Sequence, residues 1–505
     1  MTDAASTLIL GHLIHLTGRP SPAGADAALE DIAHGALVID PTGRIAWKGA
    51  HRQLPEHFRG VPVVDYGDAF VLPGFIDTHL HFGQVNSLAA WGGGRLLQWL
   101  EACIFPAEAR LQDPHLAEAA ATAFCHRLAR AGTTTAMVMG SPFPQAQECL
   151  FRAFHASGLR AVIGRGIQTT GPAAARPLMT SEAAALQLTD DEIRRWHPAD
   201  DAARARARLQ VAIMPRFSLS VTPQTLAGLG ELFDTWRDCG VYFSTHLSEN
   251  NHPGDGEIAQ VCRRFGVDSY LDTYDGRFLP GSRVGGRSLL SRRSVFAHAV
   301  YCSDRDRERL RLAGASIAHC PVSQLFLGNG TMPWRRTAAS GVTLAVGTDV
   351  AAGDTWFIPE VLNACYKVHI SEPGDAGIAL SPADLLFAAT VAGARALDLE
   401  DRIGNLDVGR EADLVVLDPH RREMLASNLA STNLASTNLA SRSLAGDSPI
   451  GSSPIGAGAA ADEQHIRRAR LFRLLLLARE TDVAATWVAG RRLETSGPRL
   501  QNGVG

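Results

Sequence analysis

Between Gly74 and residue 400 the chain repeats one alternation, a short apolar run of strand length followed by a stretch long enough for a helix. The runs lie near residues 75–81, 133–139, 161–166, 209–215, 241–247, 295–300, 315–320 and 343–349. Strands alternating with helices build parallel sheets, because two parallel strands need a long crossover between them. Eight such units in an α/β chain predict a closed (β/α)8 TIM-type barrel. Several runs end on side chains that bind metals or move protons, and that fold places its active site at the C-terminal ends of its strands.

The flanks have a different texture. Residues 1–73 carry strand-like runs such as TLILGHLIHL and GALVID, separated by turn signals such as Pro41-Thr42-Gly43 and without helical stretches between them. Similar runs return in ADLVVLD and ATWVAGRRL near the C-terminus. The expected organisation is a small β-sandwich domain built from both chain ends, residues 1–73 and 401–505, around a barrel of residues 74–400. Residues 425–461 repeat short units of small polar residues. Such a segment buries too little apolar area to offset its ordering entropy, so a disordered insertion is expected there.

Composition narrows the function classes. With 46% hydrophobic and 20% charged residues in 505, a large core is available. A net charge of -4 offers no basic field for nucleic acid. The eight cysteines are scattered without a CxxC pair, which suits reduced thiols. No basic-then-apolar leader opens the chain and no apolar run could span a bilayer, so a cytoplasmic protein with no membrane partner is expected.

The strand ends carry the chemistry. His79-x-His81 places two imidazoles on one face of a strand, since side chains alternate with period two. With 18 histidines, about 0.6 such pairs arise by chance, so the pair needs its context. That context is His246 ending VYFSTH, His298 ending SVFAH and Asp349 ending TLAVGTD. Zinc takes imidazole nitrogen and carboxylate oxygen, and a catalytic zinc keeps one position open. His79, His81, His246 and Asp349 are therefore the candidate ligands of a zinc ion. Glu249, three residues past His246, can reach a water at the open position without binding the metal and is the candidate proton shuttle. An aspartate on an apolar strand is costly to bury without such a partner. Asp349 is also expected to take a proton from the water, and His298 to hydrogen-bond the attacking oxygen.

This constellation resembles the amidohydrolase superfamily, whose members carry HxH on the first barrel strand, His on the fifth and sixth, and Asp on the eighth. Binuclear members bridge two metals with a carboxylated lysine, often on the fourth strand. That strand reads LQVAIMPRF here, and the only lysines are Lys48 and Lys367. The resemblance therefore implies one zinc per subunit. The segments PGFIDTHLHFGQ, FPAEAR, MPRFSLS, THLSEN, AHCPVSQLFL and GTDVAAG further resemble the guanine deaminase family over residues 70 to 400. That likeness implies a purine substrate held by Gln84, Arg216 and Phe217, attack at C2 of guanine, and release of xanthine and ammonia. It also implies a homodimer. Gln324 stands where the family usually has Asn, and Ala352 where a second Gly is common.

The nearest alternative is a related deaminase acting on 8-oxoguanine, a triazine or another aminated heterocycle. A more distant one is a metal-free scaffold protein, which would be expected to lose ligands that this chain keeps. The cytidine-deaminase type of zinc site needs HxE with PCxxC, and the absence of CxxC argues against it.

Overall fold

The computed structural model describes residues 6–20, 25–93, 95–254, 256–276, 288–372, 380–431 and 455–495. The N-terminal strands are β1 (Thr7–Leu16), β2 (Leu29–Ile39), β3 (Ile45–Ala50) and β4 (Val63–Pro73). Eight parallel strands follow: β5 (Phe75–His81), β6 (Thr133–Met139), β7 (Arg160–Ile167), β8 (Leu209–Pro215), β9 (Tyr242–Leu247), β10 (Ser294–His298), β11 (Ser316–His319) and β12 (Thr343–Val346). Each pairs with the next in sequence, as a wound barrel requires. Most of their residues are buried because helices cover the outside and side chains fill the inside, which is why they read as apolar runs without polar alternation.

The barrel closes at the strand ends that carry the candidate ligands. Thr78 Oγ1 donates to Val346 O at 2.9 Å. Just beyond β12, the Asp349 N–H donates to His79 O at 2.9 Å, and the His81 N–H donates to Val350 O at 3.2 Å. Buried Asp77 reinforces this seam, accepting from Thr348 Oγ1 at 2.6 Å and from the backbone N–H groups of Thr348 and His79. At the other end, Ile76, Val162, Tyr242 and Val295 pack inside the barrel on the alanine-rich helix Val391–Ala396.

The chain ends build one small β-domain, as expected. β13 (Leu414–Leu417), β14 (Val483–Val488) and β15 (Arg491–Arg492) join the first four strands in the order β15-β14-β13-β4-β1-β2-β3. This sheet curls back on itself: Ile45 N–H donates to Arg410 O and Ala412 N–H to Gly43 O, each at 2.8 Å. Ile9, Leu37, Val71, Leu414 and Trp487 fill the enclosed core. Only Gly74 separates β4 from β5, and a Cβ there would lie 2.1 Å from the Thr134 side chain. Arg160, fully buried at the start of β7, ties the two parts together through Glu411 at 2.7 Å and Asp413 at 3.2 Å. Breaking such a buried pair from one side costs about 3–5 kcal/mol.

The low-complexity expectation needs correction at its edges. Residues 425–431, expected to lack structure, lie in a helix over 423–431 with Leu425 and Leu429 buried. These leucines are four apart, so they share a helix face, and join a core that includes Leu471, Leu474 and Leu475. Residues 455–461 begin the helix Ile455–Leu477. The rest of the repeat, residues 432–454, lies outside the described residues. All eight cysteines are free thiols, and no helix among the described residues is long and apolar enough to cross a membrane.

Candidate active site

His79 and His81 point inward from one face of β5, while the ends of β9, β10 and β12 bend sharply beside the site. Of the eight non-glycine residues with positive φ among those described, four are Ser248, His298, Ala299 and Asp349. They lie just where β9, β10 and the β12 segment turn away from the barrel. A non-glycine residue in that region is strained, and such strain collects at functional sites.

Three imidazoles and one carboxylate converge above β5. His81 Nε2 lies 3.2 Å from His79 Nε2 and 3.2 Å from His246 Nε2. Asp349 Oδ1 is 3.4 Å from His79 Nε2 and 3.1 Å from His81 Nε2. A tetrahedral zinc with bonds of about 2.0–2.1 Å spaces its ligand atoms by roughly 3.3 Å. The four side chains fit a metal ion by this measure, and their ligand atoms all lie within 4.8 Å of one another. The proton on His246 is also placed: Nδ1 is 2.5 Å from Arg216 O. A carbonyl oxygen only accepts, so Nδ1 carries the hydrogen and Nε2 offers its lone pair inward. Burial and the neighbouring imidazoles hold His246 well below the usual histidine range.

Glu249 and His298 stand beside this cluster. Glu249 Oε2 is 3.3 Å from His298 Nε2, and Asp349 Oδ2 is 3.8 Å from it. Burial, then the charges of Asp349 and Glu257, push the Glu249 carboxyl well above its ordinary range. Burial brings His298 down to about 3, so its ring is neutral at physiological pH. Neither of its ring nitrogens has a hydrogen-bond partner, although the residue is fully buried. Asp349 is held well below the carboxylate range; burial opposes this, and hydrogen bonds from His79 and His81 outweigh it.

A narrow cavity opens onto these groups, lined by His81, His246, Glu249 and Asp349 on its inner side. Its walls include Trp99, Leu100, Phe217 and Leu327, and Arg216 is the one arginine or lysine among its lining residues. Arg216 follows β8 directly. Its guanidinium pairs with Glu108 Oε2 at 2.6 Å and lies over the Phe105 ring at 5.3 Å. Gln84 is fixed at both ends of its amide, donating to Glu108 Oε1 at 3.2 Å and accepting from Ala351 N–H at 2.9 Å. Trp99, Leu100, Phe105 and Glu108 come from consecutive turns over residues 96–109, in which Leu100–Ile104 is a π-helical bulge. Such bulges occur often at functional sites.

All nine residues singled out in the sequence meet at this one place. Gln324 does not line the cavity: it is fully buried beneath it, and Ala352 does line it. The sequence reading missed three residues. Glu108 orients both Arg216 and Gln84; the signal was an acid inside the apolar helical stretch WLEACIFPAEA. Glu257 receives the backbone N–H groups of Glu249 and Asn250 at 3.1 and 3.2 Å and a bond from the Tyr270 hydroxyl at 2.6 Å. Asn329 donates to Glu249 Oε1 at 2.7 Å. For these two, no local signal distinguishes them from ordinary loop and helix residues.

Comparison with known proteins agrees with this geometry. Residues 70–452 match the Amidohydrolase family. A Deinococcus radiodurans protein named "probable guanine deaminase" is 39% identical over 417 residues, covering 81% of this chain and 88% of its own length. The guanine deaminase of Escherichia coli K12 is 34% identical over 404 residues, 79% of this chain and 84% of its own. The crystal structure of guanine deaminase from Bradyrhizobium japonicum superposes with a TM-score of 0.81 at 26% identity, covering 98% of this chain and all of that one.

Proposed function

The chain belongs to the amidohydrolase family, and on that premise we propose that it is a zinc-dependent hydrolase that deaminates guanine to xanthine and ammonia. The observation that carries this reading is the meeting of three imidazole nitrogens and one carboxylate oxygen at 3.1–3.4 Å, with Glu249 beside them and Arg216 in the same cavity. The names borne by the similar proteins support guanine as the substrate.

His79, His81, His246 and Asp349 would hold one zinc ion, which would supply the Lewis acidity that makes a water nucleophilic near neutral pH. Glu249 takes a proton from the attacking water and hands it to a ring nitrogen of the purine. Its raised affinity for protons suits it to hold one between the two transfers. Oxygen then adds to C2, and neutral His298 donates a hydrogen bond to it, an electrostatic contribution from a buried group. Asp349 relays the second proton to the amino group, which leaves as ammonia.

Recognition falls to Arg216, Gln84 and Phe217. Guanine presents acceptors at O6 and N7, which suit guanidinium donors. Glu108 keeps the Arg216 fork in place and turns Gln84 so that one amide hydrogen remains for the substrate. Phe217 supplies an apolar wall for a planar ring.

Ammonia release by purified protein from guanine, 8-oxoguanine, melamine and cytosine tests the proposal. Guanine is expected to turn over fastest, and chelation to abolish turnover until zinc is restored. Brisk turnover of another compound with none of guanine would overturn the substrate; turnover unaffected by metal removal would overturn the chemistry.

A further inference from the structure

Glu249 is held from behind. Its Oε1 accepts from Asn329 Nδ2 at 2.7 Å, while its Oε2 faces His298. An amide nitrogen can only donate, so Oε1 is committed as an acceptor and Oε2 is left to carry a proton. The amide of Asn329 is oriented in turn, since its Oδ1 accepts from Asn250 Nδ2 at 2.7 Å.

The loop that presents Asn329 is built for one conformation. Gly328 and Gly330 flank it at φ 61° and 89°, values that favour glycine, and a Cβ on Gly330 would lie 2.5 Å from the Tyr301 hydroxyl. Three backbone donors pin the loop: Asn329 N–H to Gln324 O at 2.9 Å, Met332 N–H to Gln324 Oε1 at 3.3 Å, and Trp334 N–H to Glu372 Oε1 at 3.1 Å.

Gln324 and Glu372 are the two ends of one buried polar chain. Gln324 Nε2 lies 3.5 Å from His319 Nδ1, His319 Nε2 lies 2.9 Å from His369 Nε2, and His369 Nδ1 meets Glu372 Oε1. A single proton order satisfies every member. Glu372 accepts from His369 Nδ1–H, His369 Nε2 accepts from His319 Nε2–H, and His319 Nδ1 accepts from the Gln324 amide. Cys365 adjoins both imidazoles, so the trio has the composition of a metal site. With each ring nitrogen already partnered, the two imidazoles have no lone pair left for an ion.

We propose that Asn329 is the positioning residue that aims Glu249, and that the chain Glu372–His369–His319–Gln324 is the buttress that holds its loop. The proposal rests on Glu249 as the proton shuttle. It also accounts for Gln324: the longer amide reaches Met332 N–H and His319 together, and the donor to Glu249 is supplied by Asn329.

Two measurements test it. In crystals of the metal-loaded Asn329→Ala protein, the Glu249 carboxylate should leave the position facing His298 that it holds in the wild type. In steady-state assays, Asn329→Ala should lower kcat by about tenfold to a hundredfold, by analogy with the range for partners that orient metal ligands, with KM within about threefold and metal content unchanged. Asn329→Asp, which sets a carboxylate against Glu249 in place of a donor, should fall lower still. Gln324→Met should lower kcat several-fold. An unmoved Glu249 in the alanine variant, an effect on KM alone, or a metal ion at His319, Cys365 and His369 would overturn the proposal. Failure of the wild type to use guanine would defeat the proposed function, while the position of Glu249 in the variant would still decide this one.

Discussion

Two buried histidine clusters sit in this barrel, and they are chemically alike. One gathers His79, His81, His246 and Asp349; the other gathers His319, Cys365 and His369. In the first, His246 spends Nδ1 on a carbonyl, and three Nε2 atoms and a carboxylate oxygen are left facing one another. In the second, a carboxylate and an amide terminate the row, so each nitrogen has its complement. Ligand count therefore does not separate a metal centre from a structural polar chain. What separates them is whether one proton order satisfies the row: in the first, His81 Nε2 lies near two other Nε2 atoms and a carboxylate oxygen, and one hydrogen cannot serve all three.

Single substitutions should break the symmetry between the clusters. The largest effect is expected from His81→Ala, which should empty the first centre and reduce turnover to background, read by metal analysis and ammonia release; the same analysis on His369→Gln should still find one ion per chain. Glu249→Gln should keep the metal and lose about 10²–10⁴ in kcat, the span of a positioned acid–base group. Loss of metal in that variant would make Glu249 a ligand. His369→Gln should cost about 1–3 kcal/mol in urea unfolding, the penalty for buried polar groups left without partners. An unchanged midpoint would show that the second cluster carries no structural load.

His197 extends the comparison to pH. Its Nδ1 accepts from Val211 N–H at 3.0 Å and its Nε2 is 3.0 Å from Cys239 O, an arrangement that requires the neutral ring. Burial lowers it from 6.5 to about 4. The unfolded chain therefore binds the extra proton first as pH falls. This contribution is complete above pH 6.5 and is lost between 6.5 and 4, amounting to roughly 3 kcal/mol. Unfolding midpoints of wild type and His197→Gln should converge across that window. A constant gap would contradict it.

The barrel was legible because its strands are covered on both faces and so appear as uninterrupted apolar runs. The ligands were legible because each ends such a run. Partners that meet only through the fold were not. Glu108 and Arg216 are 108 positions apart, and Asn329 and Glu249 are 80 apart, so no local pattern joins them. Nothing local to Gln324 shows that its side chain accepts from Met332 N–H and so holds the loop rather than lining the cavity. At the edge of the repeat, the compositional signal of small polar residues hid Leu425 and Leu429, whose spacing is that of a buried helix face.

Anomalous diffraction at the zinc absorption edge, from crystals grown without chelator, tests the central claim most directly. One peak should appear, between His79 Nε2, His81 Nε2, His246 Nε2 and Asp349, with none between His319 and His369. An empty first cluster, or a peak at the second, would contradict the account.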